Sequence, residues 1–451
     1  QRYPEEGRYF NRIQTWFYDP HTQKKYRSIL HVLMLFQLTY SLITRLYGLS
    51  ALILSLFSKK ADKFVQGRKN WKSTATEIRK QAGTKKLLWF HCASLGEYEQ
   101  AKPVISGLMS LHPDAFFLLT FYSPSGYVQG AKNPLCHAQM YLPADTHNNV
   151  KNFTDILKPD MAIFVKYDFW FNYLRILHEK NIPVIFFSVI FRADHFLMKP
   201  AASPIREQVW HSRKIFVQNK ASLEQLSKHG YANGEVAGDT RFDRVLQIAR
   251  HHDLPEKVRQ WAADKNILVC GSIWQNDVKK IQHDLTRILE EDAHAAIIIT
   301  PHEPSVKWHE DVKKMFPAQQ VCAFTNPDNK ARIMFVDTVG YLSSLYSLGH
   351  CAYVGGGFGK GIHNLLEAVV YGIPVMFGPK HKKFAEADLL IQLGAGFVFS
   401  HQGELASLFS EYKPPNENGK KLQITLQHFF EEHAGGSQKV VNFISKNILQ
   451  P

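Results

Sequence analysis

Beyond residue 85 the chain alternates short apolar runs, rich in β-branched and aromatic residues, with longer amphipathic stretches. A parallel α/β sheet is the architecture that this alternation demands. One series of strands is predicted at 86–92, 116–121, 139–142, 161–165, 184–189 and 214–217, and a second at 267–271, 295–300, 333–336, 351–354, 375–377 and 396–399. Amphipathic stretches such as 98–109 and 171–179 supply helices between them. Two Rossmann-like domains follow, with Gly238 to Asp243 (GDTRFD) read as the linker. A chain of 451 residues is long enough for about two or three such cores. No internal repeat or low-complexity tract interrupts the pattern. Ligands of parallel sheets bind beyond the carboxyl ends of the strands, so the loops after these runs are where chemistry is expected.

The loop after 351–354 is the most telling of them. It reads Gly355-Gly356-Gly357-Phe358-Gly359-Lys360-Gly361-Ile362-His363-Asn364 and passes into Leu365-Leu366-Glu367. Residues without side chains let backbone N–H groups close on a phosphate, and a helix opening near Asn364 would aim the positive end of its dipole at the same point. Glu367, early in that helix, can complement the dipole or accept hydrogen bonds from a ribose diol. A P-loop is excluded, because Lys360 is followed by Gly361 where Ser or Thr is required. A dinucleotide fingerprint fits the spacing but normally opens the first strand–helix unit of a domain. An unliganded surface turn is the plainer alternative.

The N-terminal region limits the setting. From Met34 to Phe57 the only charge is Arg45, over a stretch about as long as a membrane-crossing helix. An arginine at mid-depth costs about 3 kcal/mol on insertion scales, so an in-plane or tilted anchor competes with a true span, and a buried core helix is a third reading. Lys59, Lys60, Lys63, Arg68, Lys69, Lys72, Arg79, Lys80, Lys85 and Lys86 follow, a basic block that predicts a cytoplasmic body held against anionic headgroups. These residues lie on the wrong side of the apolar run for a cleaved signal peptide. The resulting division is an extension at 1–33, an anchor at 34–60, an N-terminal domain at 61–237 and a C-terminal domain at 238–451. A formal charge of +14 implies anionic partners, but no basic–aromatic nucleic-acid module occurs. Five scattered cysteines without metal-ligand spacing read as reduced core residues.

Candidate chemistry gathers at strand ends. The first run closes on Ser94-Leu95-Gly96-Glu97, where Glu97 sits in a strand-to-helix turn and Gly96 leaves room for a substrate. As a lone residue, Glu97 would equally serve as a first-turn dipole partner. Asp168, in Lys166-Tyr167-Asp168-Phe169-Trp170, follows another strand in the same way and alone would serve as a helix cap. Pro301-His302 ends a strand of the second series, where His302 can stack on a nucleotide or simply form a turn. The only near match to an acidic metal pair, Glu386-Ala387-Asp388, falls in a helical pattern, so neither metal nor other cofactor is expected.

Taken in order, the apolar anchor with its basic flank, Ser94 to Glu97, Thr120 to Gly126 (TFYSPSG), Asp168 to Asn172, Gly238 to Asp243, Pro301-His302, Asp337 to Leu342, Gly355 to Glu367 and Phe377-Gly378-Pro379 resemble the Kdo transferases of lipopolysaccharide biosynthesis. These enzymes move 3-deoxy-manno-octulosonic acid (Kdo) from CMP-Kdo to a lipid A precursor. The resemblance covers the chain from about Met34 onward. It implies a GT-B fold, two Rossmann-like domains facing across a cleft, and metal-independent inversion at the anomeric carbon, with a location at the cytoplasmic face of the inner membrane of a Gram-negative bacterium. It makes Glu97 the base, with Asp168 as a second acid of the site. It assigns CMP to Pro301, His302, Val339, Gly340, Tyr341, Gly357, Gly361, Asn364, Leu365, Leu366 and Glu367, and leaves Ser94, Gly96, Ser125, Arg192 and Arg241 for the Kdo carboxylate or the acceptor. The chain departs from the pattern at Lys166-Tyr167-Asp168, where many members have Glu-Thr-Glu, at Thr300, where Arg is usual, and at Tyr341, where Glu is usual. The rival readings are another membrane-associated GT-B enzyme using a UDP-sugar and a nucleotide-binding membrane protein without turnover.

Overall fold

The computed structural model describes residues 20–132, 135–250, 253–316, 321–414 and 416–449. The chain divides into two compact units, one formed by the chain up to Gly238 together with Ser437–Pro451 and the other by Asp239–Gly436.

Unit 1 carries seven strands, β1 (Leu87–Cys92), β2 (Phe116–Phe121), β3 (Ala138–Tyr141), β4 (Met161–Val165), β5 (Val184–Val189), β6 (Lys214–Val217) and β7 (Gly234–Val236). They lie in the order β3-β2-β1-β4-β5-β6-β7, parallel throughout. Every residue of β1, β2, β4 and β5 is buried, as expected of strands covered on both faces by crossover helices. Winding reverses between β1 and β4, so the crevice at their carboxyl ends is the natural ligand position.

Unit 2 repeats the plan with β8 (Asn266–Ile273), β9 (Ala295–Pro301), β10 (Val321–Ala323), β11 (Ile333–Phe335), β12 (Cys351–Val354), β13 (Val375–Phe377) and β14 (Gly396–Val398). Their order is β10-β11-β9-β8-β12-β13-β14, again all parallel, and here the reversal lies between β8 and β12.

Four expectations are corrected. The edge strands β7 and β10 escape sequence reading because three residues are too few to show a period. The supposed linker from Asp239 onward is packed within unit 2: Thr240–Arg250 is a helix, Phe242 is buried against Phe429 and Phe430, and Asp243 accepts the Gly435 N–H at 2.6 Å. The C-terminal domain does not run to the end of the chain. Val440, Val441 and Ile444 fill the unit 1 core, and Gly107 leaves the space that the Val441 side chain occupies. The apolar helix, expected from Met34, is Pro20–Ser55; the rest of the supposed extension, residues 1–19, lies outside the described residues.

Candidate active site

In unit 1 the loops after β1, β2 and β4 converge. The helix Leu95–Leu111 begins earlier than expected, and Glu97 is its third residue rather than part of a free turn. Its Oε2 accepts the Ser94 backbone N–H at 2.8 Å and also the Ser94 hydroxyl, a capping arrangement that satisfies one orphan donor of the helix start. Gly96 is exposed beside it. The loop after β2 closes on this turn through the Ser123 N–H, which donates to Ala93 O at 2.8 Å. Gly126 is required there, because a Cβ would stand 3.1 Å from Ser94 C and 3.2 Å from Leu95 N. Ser125 is exposed, its hydroxyl 3.2 Å from that of Ser123.

Asp168 is not a helix cap; Trp170 holds that position for Phe171–Glu179. The Asp168 side chain instead turns inward, Oδ2 lying 3.5 Å from His91 Nε2. His91 is wholly buried on β1, and its Nδ1 sits 2.8 Å from the Thr120 hydroxyl, which also accepts the Trp89 indole N–H at 2.8 Å. Burial lowers His91 to about 3. Burial, and after it the nearby charge of Glu97, raises Asp168 to about 8 against the pull of the Ala93 amide and Lys166. At pH 7 this is therefore a contact between a neutral imidazole and a neutral carboxyl, and not an ion pair. The result is two carboxyls in one crevice with separated roles: Asp168 holds its proton, and Glu97 faces the loop surface.

In unit 2 the glycine loop after β12 is built by backbone packing. A Cβ on Gly355 would meet Ile273 Cα at 2.5 Å, one on Gly357 would meet Gly378 Cα at 2.5 Å, and Gly356 adopts a φ of 93°. The Gly356 N–H donates to Asp277 Oδ2 at 3.1 Å. The Gly361 N–H, expected at a phosphate, donates to Gly356 O at 3.2 Å. The helix expected to open at Asn364 is a single turn, Leu366–Val369, too short for a full macrodipole. Glu367 is nonetheless well held: Oε1 accepts from Asn364 Nδ2 at 2.9 Å and Oε2 from Ser343 Oγ at 2.6 Å. Leu365 and Leu366 are wholly buried, which leaves only their backbone to face a ligand.

The rest of this edge is aromatic. Pro301 ends β9 and His302 is exposed, its N–H donating to Ile273 O at 3.0 Å. Its ring lies 4.6 Å from Trp274 and 4.5 Å from His363, while the Trp274 indole N–H donates to His363 Nε2 at 3.2 Å. Burial, then the neighbouring His302, lowers His363 to about 4, which suits an acceptor ring. Trp274 follows β8 as His302 follows β9. The strand-end rule would have found it, and no motif pointed there. A register shift between Cys270 and Ile273, with Ser272 at a φ of 51°, twists the end of β8 toward this cluster. Val339 and Gly340 are exposed and Tyr341 lies 4.7 Å from Phe324, on the loop after β11.

The two arginines proposed for a substrate carboxylate differ. Arg192 is exposed beyond the end of β5. Arg241 is bound inside unit 2, to Asp239 at 2.8 Å and Glu386 at 2.6 Å, so its charge is already matched. Among the described residues no group of three or more His, Cys, Asp or Glu is placed to hold a metal ion.

Two doubly wound parallel units, each with polar loops at the carboxyl edge, define a GT-B-like fold. Solved structures that resemble it include UDP-N-acetylglucosamine 2-epimerases: one from Listeria monocytogenes at a TM-score of 0.56, 10% identical, covering 82% of this chain and 98% of that one, and one from Methanocaldococcus jannaschii at 0.51, 15% identical, covering 81% and 100%. That likeness is one of fold. The family of 3-deoxy-D-manno-octulosonic-acid transferases matches residues 69–244. The transferase of that name from Aquifex aeolicus is 27% identical over 72% of this chain and 86% of its own length, and that from Haemophilus influenzae is 22% identical over 79% and 86%. The chain is thus similar to Kdo transferases over roughly three quarters of its length, with the family match itself confined to residues 69–244.

Proposed function

We propose that the chain transfers Kdo from CMP-Kdo to a hydroxyl of a lipid A precursor at the cytoplasmic face of the inner membrane of a Gram-negative bacterium. The observation that carries this reading is the pair of carboxyls at the crevice of unit 1, within the segment that matches the family. Asp168, protonated up to about pH 8, cannot accept a proton at neutral pH, which leaves Glu97 as the base. Glu97 takes the acceptor hydroxyl proton as that oxygen bonds to the anomeric carbon of Kdo, and CMP departs with the electrons of the broken carbon–oxygen bond. Ser94 holds the carboxylate in place through one oxygen and leaves the other to face the acceptor.

Unit 2 takes the nucleotide. The stacked Trp274, His302 and His363 offer a face for the cytosine, and Glu367, already bonded by two neutral donors, offers its oxygens to the ribose diol. The backbone around Gly357 lies where the phosphate would be held. The exposed Arg192 of unit 1 is assigned to the Kdo carboxylate. Incubating the protein with CMP-Kdo and a tetraacylated lipid A precursor and weighing the lipid product tests the reading directly. A mass increase of one or more Kdo units is expected, and release of CMP without a heavier lipid, or transfer from a UDP-sugar instead, contradicts it.

A further inference from the structure

The apolar helix is fastened along its length. Between Leu35 and Ser55 it has the length and mean hydropathy, 1.2, of a membrane-crossing segment, and none of it is buried. Yet one stripe leans on unit 1. Phe36 and Tyr40 pack on Phe171 at 5.0 and 5.4 Å. The Tyr40 hydroxyl donates to Asp145 Oδ2 at 2.6 Å, and Asp145 is itself buried and receives the Asn172 and Tyr173 amides. Tyr47 packs on Phe64 and Tyr122. Further along the same stripe, Thr44, Ala51 and Ser55 are half-buried. At 1.5 Å per residue this contact runs about 28 Å, nearly the full thickness of a bilayer's hydrocarbon core.

The opposite stripe is aliphatic. Leu35, Leu38, Leu42, Leu46, Leu49 and Ile53 recur at three- and four-residue steps and are 52–67% exposed. Arg45 lies on the flank of this stripe at the helical angle of 100° per residue, with Thr39 and Ser50 on the other flank. Phe57, just past the helix, is 83% exposed, and the next helix opens with the exposed Lys59, Lys60 and Lys63. Arg68, counted by sequence with that basic block, instead donates to Leu142 O and Tyr122 O within unit 1, so the charge available to a surface is that of the lysines.

We propose that this helix lies in the plane of an anionic phospholipid bilayer, its leucine stripe sunk into one leaflet, and does not cross. A crossing helix would carry Asp145 and the exposed His147 and Asn148 beside it into hydrocarbon, where polar groups find no water. In the plane, the aliphatic stripe faces the acyl chains, Arg45 reaches sideways to phosphates along its apolar stem, and the lysines meet the anionic headgroups. The side chains that clamp the helix, Tyr122 after β2 and Phe171 after β4, belong to the same carboxyl edge as Glu97 and Asp168. The helix thereby sets the height of that edge at the headgroup layer, where the sugar of an embedded acceptor lies. This last step rests on the proposed lipid acceptor; the lie of the helix does not.

Depth measurement separates the outcomes. Leu38→Cys, Leu42→Cys, Leu46→Cys, Leu49→Cys and Ile53→Cys are introduced one at a time into the full chain. Each is labelled with an environment-sensitive fluorophore and bound to vesicles of phosphatidylethanolamine and phosphatidylglycerol carrying nitroxides at the 5 or 12 position of an acyl chain, the signal of the unsubstituted protein being subtracted. The in-plane helix predicts similar quenching at all five sites, stronger from position 5 than from 12, and little at Thr44→Cys on the clamped stripe. A graded profile, with Leu46 nearest the 12 position and the ends shallow, overturns the proposal in favour of a span. No quenching, with concentration-dependent dimerisation through the leucines, overturns membrane docking altogether. Kdo transfer to detergent-dispersed acceptor, measured in the same preparations, reports on the enzymatic reading separately.

Discussion

The carboxyl edges of the two units solve different problems with different materials. In unit 1 the edge is a set of titratable groups in a crevice, where burial lowers His91 to about 3, and burial followed by the charge of Glu97 raises Asp168 to about 8. In unit 2 the edge is shaped by backbone, with glycines that admit no Cβ and a cluster of three rings, and its carboxylate Glu367 is held by hydrogen bonds from Ser343 and Asn364. The same doubly wound topology thus presents titratable side chains at one edge and a backbone-shaped, ring-lined surface at the other. Fold alone does not assign function, and the loops do.

The sharpest way to break this contrast is Glu97→Gln. It keeps the shape and the ability to accept from Ser94 but not the ability to take a proton, and initial-rate assays should show turnover falling about 10²–10⁴-fold. If Glu97 is only a cap, turnover stays near normal and the thermal midpoint falls by no more than a cap exchange costs, about 1 kcal/mol.

Gly357→Ala probes the shape of the other edge. Its Cβ would lie 2.5 Å from Gly378 Cα, so the two loops must part, at about 1–3 kcal/mol by comparison with overpacked cores. Thermal unfolding should register that loss, and an unchanged midpoint would mean the loop is looser than its packing implies.

Asp168→Asn sharpens the electrostatic half. The carboxyl titrates at about 8 when folded and at 3.8 when not, so its proton contributes stability that is complete below about pH 4 and is lost as pH rises through about 8. Asparagine lacks this dependence. Relative to the variant, the wild-type protein should therefore lose stability from pH 5 to pH 9, by at least about 1 kcal/mol or roughly 2–4 °C in midpoint. Parallel midpoint curves for the two proteins across that range would show that the crevice does not hold the proton.

Most of the architecture was legible because long buried strands print their composition on the sequence: twelve of the fourteen strands lie at the predicted runs. The two missed, Gly234–Val236 and Val321–Ala323, are too short to carry a pattern. The return of Val440, Val441 and Ile444 to unit 1 was hidden because an apolar helix face does not say which core it enters. At the site, Glu97, Asp168, His302 and Glu367 stood out by position at strand ends. His91 was passed over because a histidine inside a strand reads as core, and its relation to Asp168 arises only when β1 and β4 pair. The ion pairs of Arg241 with Asp239 and Glu386 were likewise invisible, since the partners are far apart in sequence.

The central claim is that the nucleotide is held by unit 2 and the proton taken by unit 1. Calorimetric titration of CMP into the wild-type protein, Glu97→Gln and Glu367→Ala tests it most directly. The account predicts equal affinity for the first two and a loss of about 1.5–3 kcal/mol, or roughly 10- to 150-fold, for Glu367→Ala, the range for hydrogen bonds to a charged group. Weakened CMP binding in Glu97→Gln together with unchanged binding in Glu367→Ala would contradict it.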